Sequence, residues 1–332
     1  MPKENFEDMD ALAEKLGEGR YELPDGSILQ VGPPVEEKMN ISPETQEKLD
    51  KLLAKVDEKI PPVGTVRLKP KRGTTTVFDS KLGGVPYFPK GMEYPTVREG
   101  YNEGKPLRLL AQLNLSALPR IEGFPTEGML QFFVFPDDLY GADFDALCDQ
   151  NGFRVIWHDT VTTDTASLLS EDEIPKNDDD DNIFPFEGEF LLIAEMSEKM
   201  GACQADFRFD KAVAEAYNEL FGGDVVGMWD SNGKGIRQVD EPLYDAIFSR
   251  GSEKTRMGGF PFFTQEDPRG YKEELSGHTV LLFQSDSENG GEDKNWDDEI
   301  CWGDMGVANF FITPEALAKR DFSNVIYTWD CG

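Results

Sequence analysis

The chain of 332 residues carries 33 basic and 64 acidic side chains, a formal net charge of −31. A negative field of that size opposes binding to nucleic-acid backbones and anionic membrane surfaces, and it attracts basic proteins, peptides or cations unless it serves only solvation. At 39% hydrophobic and 11% aromatic residues, the chain has the material for a full core in one large domain or two.

Residues 1–62 differ in texture from the remainder. Phe6, Met9, Leu12, Ala13 and Leu16 follow helical spacing and stop at Gly17, without the basic-then-apolar order of a secretion signal. Pro24-Asp25-Gly26 predicts a hairpin between short extended runs. Ser42 and Pro43 then open a helix with Leu49, Leu52, Leu53 and Val56 on one stripe, which Pro61-Pro62 ends. This helix–hairpin–helix segment reads as an appendage that docks on the main body or reaches a partner.

From Val63 the pattern is one of short strands, predicted at 74–79, 107–114, 129–135, 153–159, 189–196, 278–286, 307–313 and 324–330. A single clear helix, 210–223, begins at Asp210 as its cap and closes at Gly222-Gly223. Two acidic loops, 170–183 and 285–299, interrupt the strands, and the four aspartates at 178–181 read as a solvated run.

Three sequence blocks recur in the same order. KLGGVPYFP at 81–89 matches RMGGFPFFT at 256–264; LLAQLN, with Gln112, matches LLFQSD, with Gln284; and GMLQFFVFPDDL at 128–139 aligns without a gap to GVANFFITPEAL at 306–317. The expectation is an internal duplication with halves 63–200 and 201–332 in one continuous body. Gly83, Gly84 and Pro86, like Gly258, Gly259 and Pro261, predict a sharp corner that feeds a proline–aromatic segment at a sheet edge. Phe132, Phe133, Phe310 and Phe311 lie in strands without alternation, predicted to be central and buried on both faces.

These blocks, with the terminal YTWDC, resemble the bacterial YwqG-like family over roughly residues 77–331, and more distantly the eukaryotic programmed-cell-death-2 ribosome-assembly proteins. The resemblance implies a duplicated, β-rich α+β fold without an established catalytic site. For the bacterial members it implies immunity against polymorphic toxins, and for the eukaryotic ones the chaperoning of a basic ribosomal protein.

No nucleophile elbow, phosphate-binding loop or metalloprotease motif is present, and SNGKGIRQ at 231–238 reads as a surface turn. His158 beside Asp159 is either a catalytic pair or a strand-end histidine in an ordinary hydrogen bond. Cys148, Cys203, Cys301 and Cys331 lack C-x-x-C spacing, which points to free thiols, a reducing compartment and a cytoplasmic protein. The loop from Ser285 fails the calcium-loop pattern because Trp296 stands at its twelfth position; Asp286 and Asp304 remain weak candidates to hold a cation. In CWGDMG, Trp302 and Asp304 are either an exposed aromatic–anion anchor for a basic partner or a turn in which Trp302 covers the sheet. The Gly-Gly-x-Pro segments are either fold punctuation or a groove that takes a peptide strand.

The sequence therefore predicts an α+β fold, mostly antiparallel sheet, with two pseudo-symmetric halves and an N-terminal helical appendage. Its expected function is that of a non-enzymatic, cofactor-free, acidic module that binds a basic protein or peptide, as an immunity protein or a chaperone. The alternative is a cation-dependent enzyme or a small-molecule or metal-binding protein.

Overall fold

The structure, a computed structural model, describes residues 19–22, 28–31, 41–176, 182–248, 252–289 and 299–332. The expected helix at 5–17, the tip of the 24–26 turn, the four-aspartate run and most of the 285–299 loop lie outside these residues. Strands β1 (Gly19–Glu22) and β2 (Ile28–Val31) pair antiparallel on either side of that turn.

Helix α1 (Pro43–Lys59) starts where Ser42 accepts the Thr45 N–H at 3.1 Å, as its Ser-Pro opening predicts. Its Leu49, Leu52 and Val56 are buried against α2 (Phe209–Phe221) and α4 (Glu241–Phe248), with the single turn α3 (Ile236–Val239) beside them. Asp210 is not the cap of α2: its carboxylate accepts the Met228 N–H at 2.8 Å, and Arg208, whose side chain makes no capping bond, precedes the helix. No helix among the described residues is long and apolar enough to cross a membrane.

The remaining chain builds one mixed α/β body around a mostly antiparallel, nearly closed sheet. Its strands are β3 (Val63–Arg72), β4 (Lys81–Gly83), β5 (Arg108–Asn114), β6 (Met129–Val134), β7 (Phe153–His158), β8 (Glu189–Ala194) and β9 (Glu198–Met200). They continue with β10 (Arg256–Gly258), β11 (Val280–Asp286), β14 (Val307–Ile312) and β15 (Ile326–Asp330); between them β12 (Glu288–Asn289) and β13 (Glu299–Ile300) form a separate ribbon, and α5 (Pro314–Lys319) follows β14. The order is β15-β14-β11-β10-β3-β8-β4-β5-β6-β7, with β9 against β3. The sheet curls until Phe132 of β6 stacks 5.1 Å from Phe283 and 4.7 Å from Phe310, and Phe153 lies 5.1 Å from Tyr327. Burying each such ring contributes about 1.5–3 kcal/mol.

Three expectations change. Residues 74–79 are a turn: Asp79 accepts the Thr76 N–H at 2.7 Å and its hydroxyl at 2.8 Å, a local closure that competes with strand pairing. The glycine corners are not at sheet edges, since β4 lies between β8 and β5, and β10 between β3 and β11. The double-phenylalanine strands β6 and β14 sit one strand in from the ends of the order rather than centrally. They are buried throughout because the curled sheet covers one face, while Phe88 and Tyr94 cover Phe133, and Phe263 and Leu147 cover Phe311.

Each glycine corner is held by a buried amide. Gln112 Oε1 accepts the Tyr87 N–H at 2.8 Å, and its Nε2 donates to Val77 O at 3.0 Å and Asp79 O at 2.9 Å. Gln284 Oε1 accepts the Phe262 N–H at 2.8 Å, and its Nε2 donates to Ser252 O and Lys254 O, both at 2.9 Å. From the next strand, Gln131 donates to Tyr87 O at 2.7 Å and Asn309 to Phe262 O at 2.8 Å. The ladders also slip at matching places, between Leu109 and Ala111 and between Leu281 and Phe283.

Removing either glutamine side chain takes the side-chain partner from a backbone N–H and two carbonyls that are buried or half-buried, each worth roughly 1–3 kcal/mol where no other partner replaces it. Gln112→Ala and Gln284→Ala are each expected to lose about 3 kcal/mol in urea unfolding, against less than about 0.5 for Gln46→Ala on the exposed face of α1. Losses of the Gln46 size at both positions would show that the corners hold without their clamps.

Candidate functional site

The first corner has backbone angles that side-chain-bearing residues avoid: φ is +64° at Gly83 and +69° at Gly84. A Cβ on Gly83 would stand 2.6 Å from Gly188 O, so the close approach of the β8 entry also requires glycine. Beneath the corner, Lys81 is fully buried; its Nζ donates to Thr76 O at 2.8 Å and to Val85 O. Burial pushes its pKa down to about 8, with Glu189 and Asp79 pulling it back up.

Above the corner opens a cleft of about 500 Å³, floored by Val85, Pro86 and Leu109 and walled by Tyr94 and Ile174. Its charged groups are Glu171, Glu189, Arg108 and Lys176. The Thr75 hydroxyl donates to Glu189 at 2.5 Å, and the Arg108 guanidinium sits 4.0 Å from the Phe184 ring, where burial lowers its pKa against the pull of Glu187. Lys176 and Asn182, both on the cleft, bracket the run Asp178–Asp181 in sequence.

The second corner repeats the backbone, with φ of +66° at Gly258 and +77° at Gly259, but it is roofed. Phe260, the counterpart of Val85, is 2% exposed within the cluster that α1, α2 and α4 form. Pro261 O accepts from the Ser252 hydroxyl and from the Cys203 thiol at 3.5 Å. Of the predicted corner residues, Gly84 and Pro86 therefore line an open site, while Gly258 and Gly259 are closed in by Gly64, Ile121, Thr65 and Met200, and Pro261 by Ser252 and Cys203.

The other candidates separate. Trp302 is not an exposed anchor: it has no accessible surface, its N–H donates to Ser287 Oγ at 2.9 Å, and its indole donates to Ser285 Oγ at 3.2 Å. Asp304 is exposed on the neighbouring turn. Asp286 accepts the Lys254 N–H at 2.5 Å and the Ser287 N–H at 2.9 Å, and burial raises its pKa to about 6, which makes it a poor cation ligand. Among the described residues no group of three or more His, Cys, Asp or Glu side chains is placed to hold a metal. The four cysteines are free thiols.

His158 and Asp159 do not act as a pair. The imidazole Nε2 meets Gln131 Oε1 at 2.8 Å, while Asp159 bonds Arg320 at 2.9 Å. Sequence reasoning missed Arg108, Ile174 and Glu189, which reach the cleft from three separate stretches and carry no motif.

A family described as a domain of unknown function, DUF1963, matches residues 80–331. The matched span holds both corners and both double-phenylalanine strands, and leaves α1 and β3 outside it. No curated protein matches the chain.

Burial holds the His158 imidazole down at about pH 4, so the folded protein keeps it neutral where the unfolded chain takes up a proton near pH 6.5. Its contribution to stability is complete above about pH 6.5 and is lost as pH falls through about 4. An NMR titration should place its midpoint near 4; a midpoint near 6.5 would show a solvated ring.

Proposed function

The chain belongs to this domain family of unknown function, DUF1963, and on that premise we propose that it is a non-enzymatic module whose first-corner cleft takes a basic segment of another protein. The observation that carries this reading is the contrast between the two corners. Matching backbone corners, clamped by matching amides, end under a helical roof at Phe260 and in an open, apolar-floored cleft at Val85. What α1, α2 and α4 do for the second corner, a partner segment does for the first.

Charge supports a basic partner. At the cleft Glu171 and Glu189 are balanced by Arg108 and Lys176, so the support comes from the four aspartates that follow Lys176 in sequence and from a chain of net charge −31 that steers cations from a distance. The corner is interior to the sheet, so recognition rests on apolar anchoring rather than strand addition. Occlusion of a basic surface is the task of an immunity protein or a chaperone, the roles that the YwqG-like and programmed-cell-death-2 resemblances imply. We also propose that the two corner modules descend from one duplicated ancestor, and that residues 1–62 are an appendage whose helix α1 now roofs the second copy. The support is the residue-for-residue match of Lys81-to-Tyr87 and Gln112 with Arg256-to-Phe262 and Gln284.

A fluorescent peptide that alternates lysine with leucine tests the cleft, with a lysine-only peptide as the charge control. Affinity for the mixed peptide is expected to fall at least roughly tenfold from about 50 to about 500 mM NaCl. Val85→Arg is expected to abolish the advantage over the lysine-only peptide without lowering the melting temperature. Equal binding of both peptides, or binding that ignores Val85→Arg, would sink the proposal.

A further inference from the structure

A second cleft, of about 510 Å³, lies between β7, the end of α5 and Arg98 of the hairpin that the Thr96–Pro106 bridge closes. Its charged lining is Arg98, Arg154, Arg320 and one acid, Asp149, the reverse of a chain in which 64 acids outnumber 33 bases. Arg98 and Arg154 repel each other across this lining, in which Asp149 is the single acid. Neither Arg98 nor Arg154 has an ion-pair partner among the described residues; Arg320 pairs with exposed Asp159 at 2.9 Å.

Arg154 is held rather than free. Its Nη2 donates to Thr96 O at 3.2 Å and its Nε to Phe153 O at 3.3 Å, which fixes the guanidinium through backbone carbonyls rather than a salt bridge. Burial and, after it, the charge on Arg98 lower its pKa to about 10 against the pull of Asp149 and Glu93. Trp157 lines the same cleft, and its Nε1 has no hydrogen-bond partner among the described residues.

Arg320 supplies an independent sign. It terminates α5 in the left-handed conformation, φ +56° and ψ +33°, where glycine or asparagine costs less. An arginine at that position carries backbone strain, and strain of this kind collects at sites that need the side chain. Here the side chain stands 5.9 Å from the Trp157 ring, on the wall of the cleft.

We infer that this cleft, formed by Arg98, Arg154, Arg320 and Trp157, binds the phosphate group of a small phosphomonoester. Planar guanidinium forks match the oxygens of a phosphate in directed, charge-assisted pairs. A cleft of this size suits a small ligand, and the field of the whole chain opposes a nucleic-acid polyanion.

The test uses the full chain with adenosine monophosphate, inorganic phosphate, sulfate and succinate, each at about 10 mM and matched in ionic strength with chloride, read by thermal shift and calorimetry. A saturable rise in melting temperature with adenosine monophosphate is expected, and inorganic phosphate without it would assign the site to the free ion. Arg98→Gln and Arg320→Gly are each expected to weaken binding roughly tenfold. Arg320→Gly should at the same time raise the melting temperature of the unliganded protein, because glycine relieves the left-handed backbone. Arg154→Gln removes a half-buried side chain that also ties the hairpin, so the two surface variants decide the matter. No shift above chloride, succinate binding as well as phosphate, or full affinity in Arg98→Gln would overturn the assignment.

Discussion

The fold depends on two buried amide side chains, each of which holds a backbone corner that has no regular partner. A Gly-Gly pair in left-handed conformation takes the chain out of the sheet, so the following proline–aromatic segment cannot use ladder bonds. Gln112 and Gln284 supply them instead, each bonded to three backbone groups on two segments that flank the corner. An amide suits this role because it offers an acceptor and two donors in one plane without charge to desolvate. The second tier is less even. Gln131 keeps its own oxygen satisfied through His158, whereas the shorter Asn309 leaves Oδ1 without a partner among the described residues.

Between the two clamped modules lies β3, which joins them. It pairs with β8 from Leu68 to Arg72 and with β10 from Thr65 to Arg67, so the sheet is continuous only through a strand outside the matched family span. The changeover explains how β3 tolerates Pro70: beyond Leu68 its ladder runs along β8 alone among the described residues, and a missing N–H on the other side costs nothing. The same region ties α1 to the body. The second module is therefore braced by both the sheet joint and a helical roof, while the first corner keeps its surface open.

How much of this was legible in the sequence follows from where each signal resides. Strands with apolar runs, such as β6 and β14, and the proline-started helix α1 were visible because a few adjacent residues determine them. Strand β3 was not: two lysines, two arginines and Pro70 break its alternation, and partners on both sides override the local preference. Residues 74–79 erred the other way, since their β-branched threonines promise a strand but Asp79 closes a turn. Gln112 and Gln284 were visible as a repeated motif, yet their clamping role is a relation between segments 22 to 35 positions apart. Trp302 sits among glycines in a way that suggests a surface turn, and only the serines of β11 and its flank reveal it as core. The cleft residues Arg108, Ile174 and Glu189 carry no local sign at all.

The interior also clarifies what the acidic surplus does. Asp206, Asp267, Arg269 and Arg208 form a tight network in which Arg269, 2% exposed, lies 3.8 Å from the Phe311 ring and 2.6 Å from Asp267. Arg67 and Glu288 make a second such pair at 2.6 Å. Removing one partner from a buried pair strands the other, which costs about 3–5 kcal/mol, so these charges are structural. Each network sets arginines against acids in nearly equal number, and the interior therefore absorbs little of the net −31. That excess must reside on the surface, where it weakens the folded state through self-repulsion. A protein that accepts this cost, yet leaves Arg98 and Arg154 without acidic partners in one cleft, distributes charge by site rather than for solubility alone. The two clefts differ in this respect: one is apolar-floored and sets Glu171 and Glu189 against Arg108 and Lys176, while the other sets three arginines against Asp149 alone.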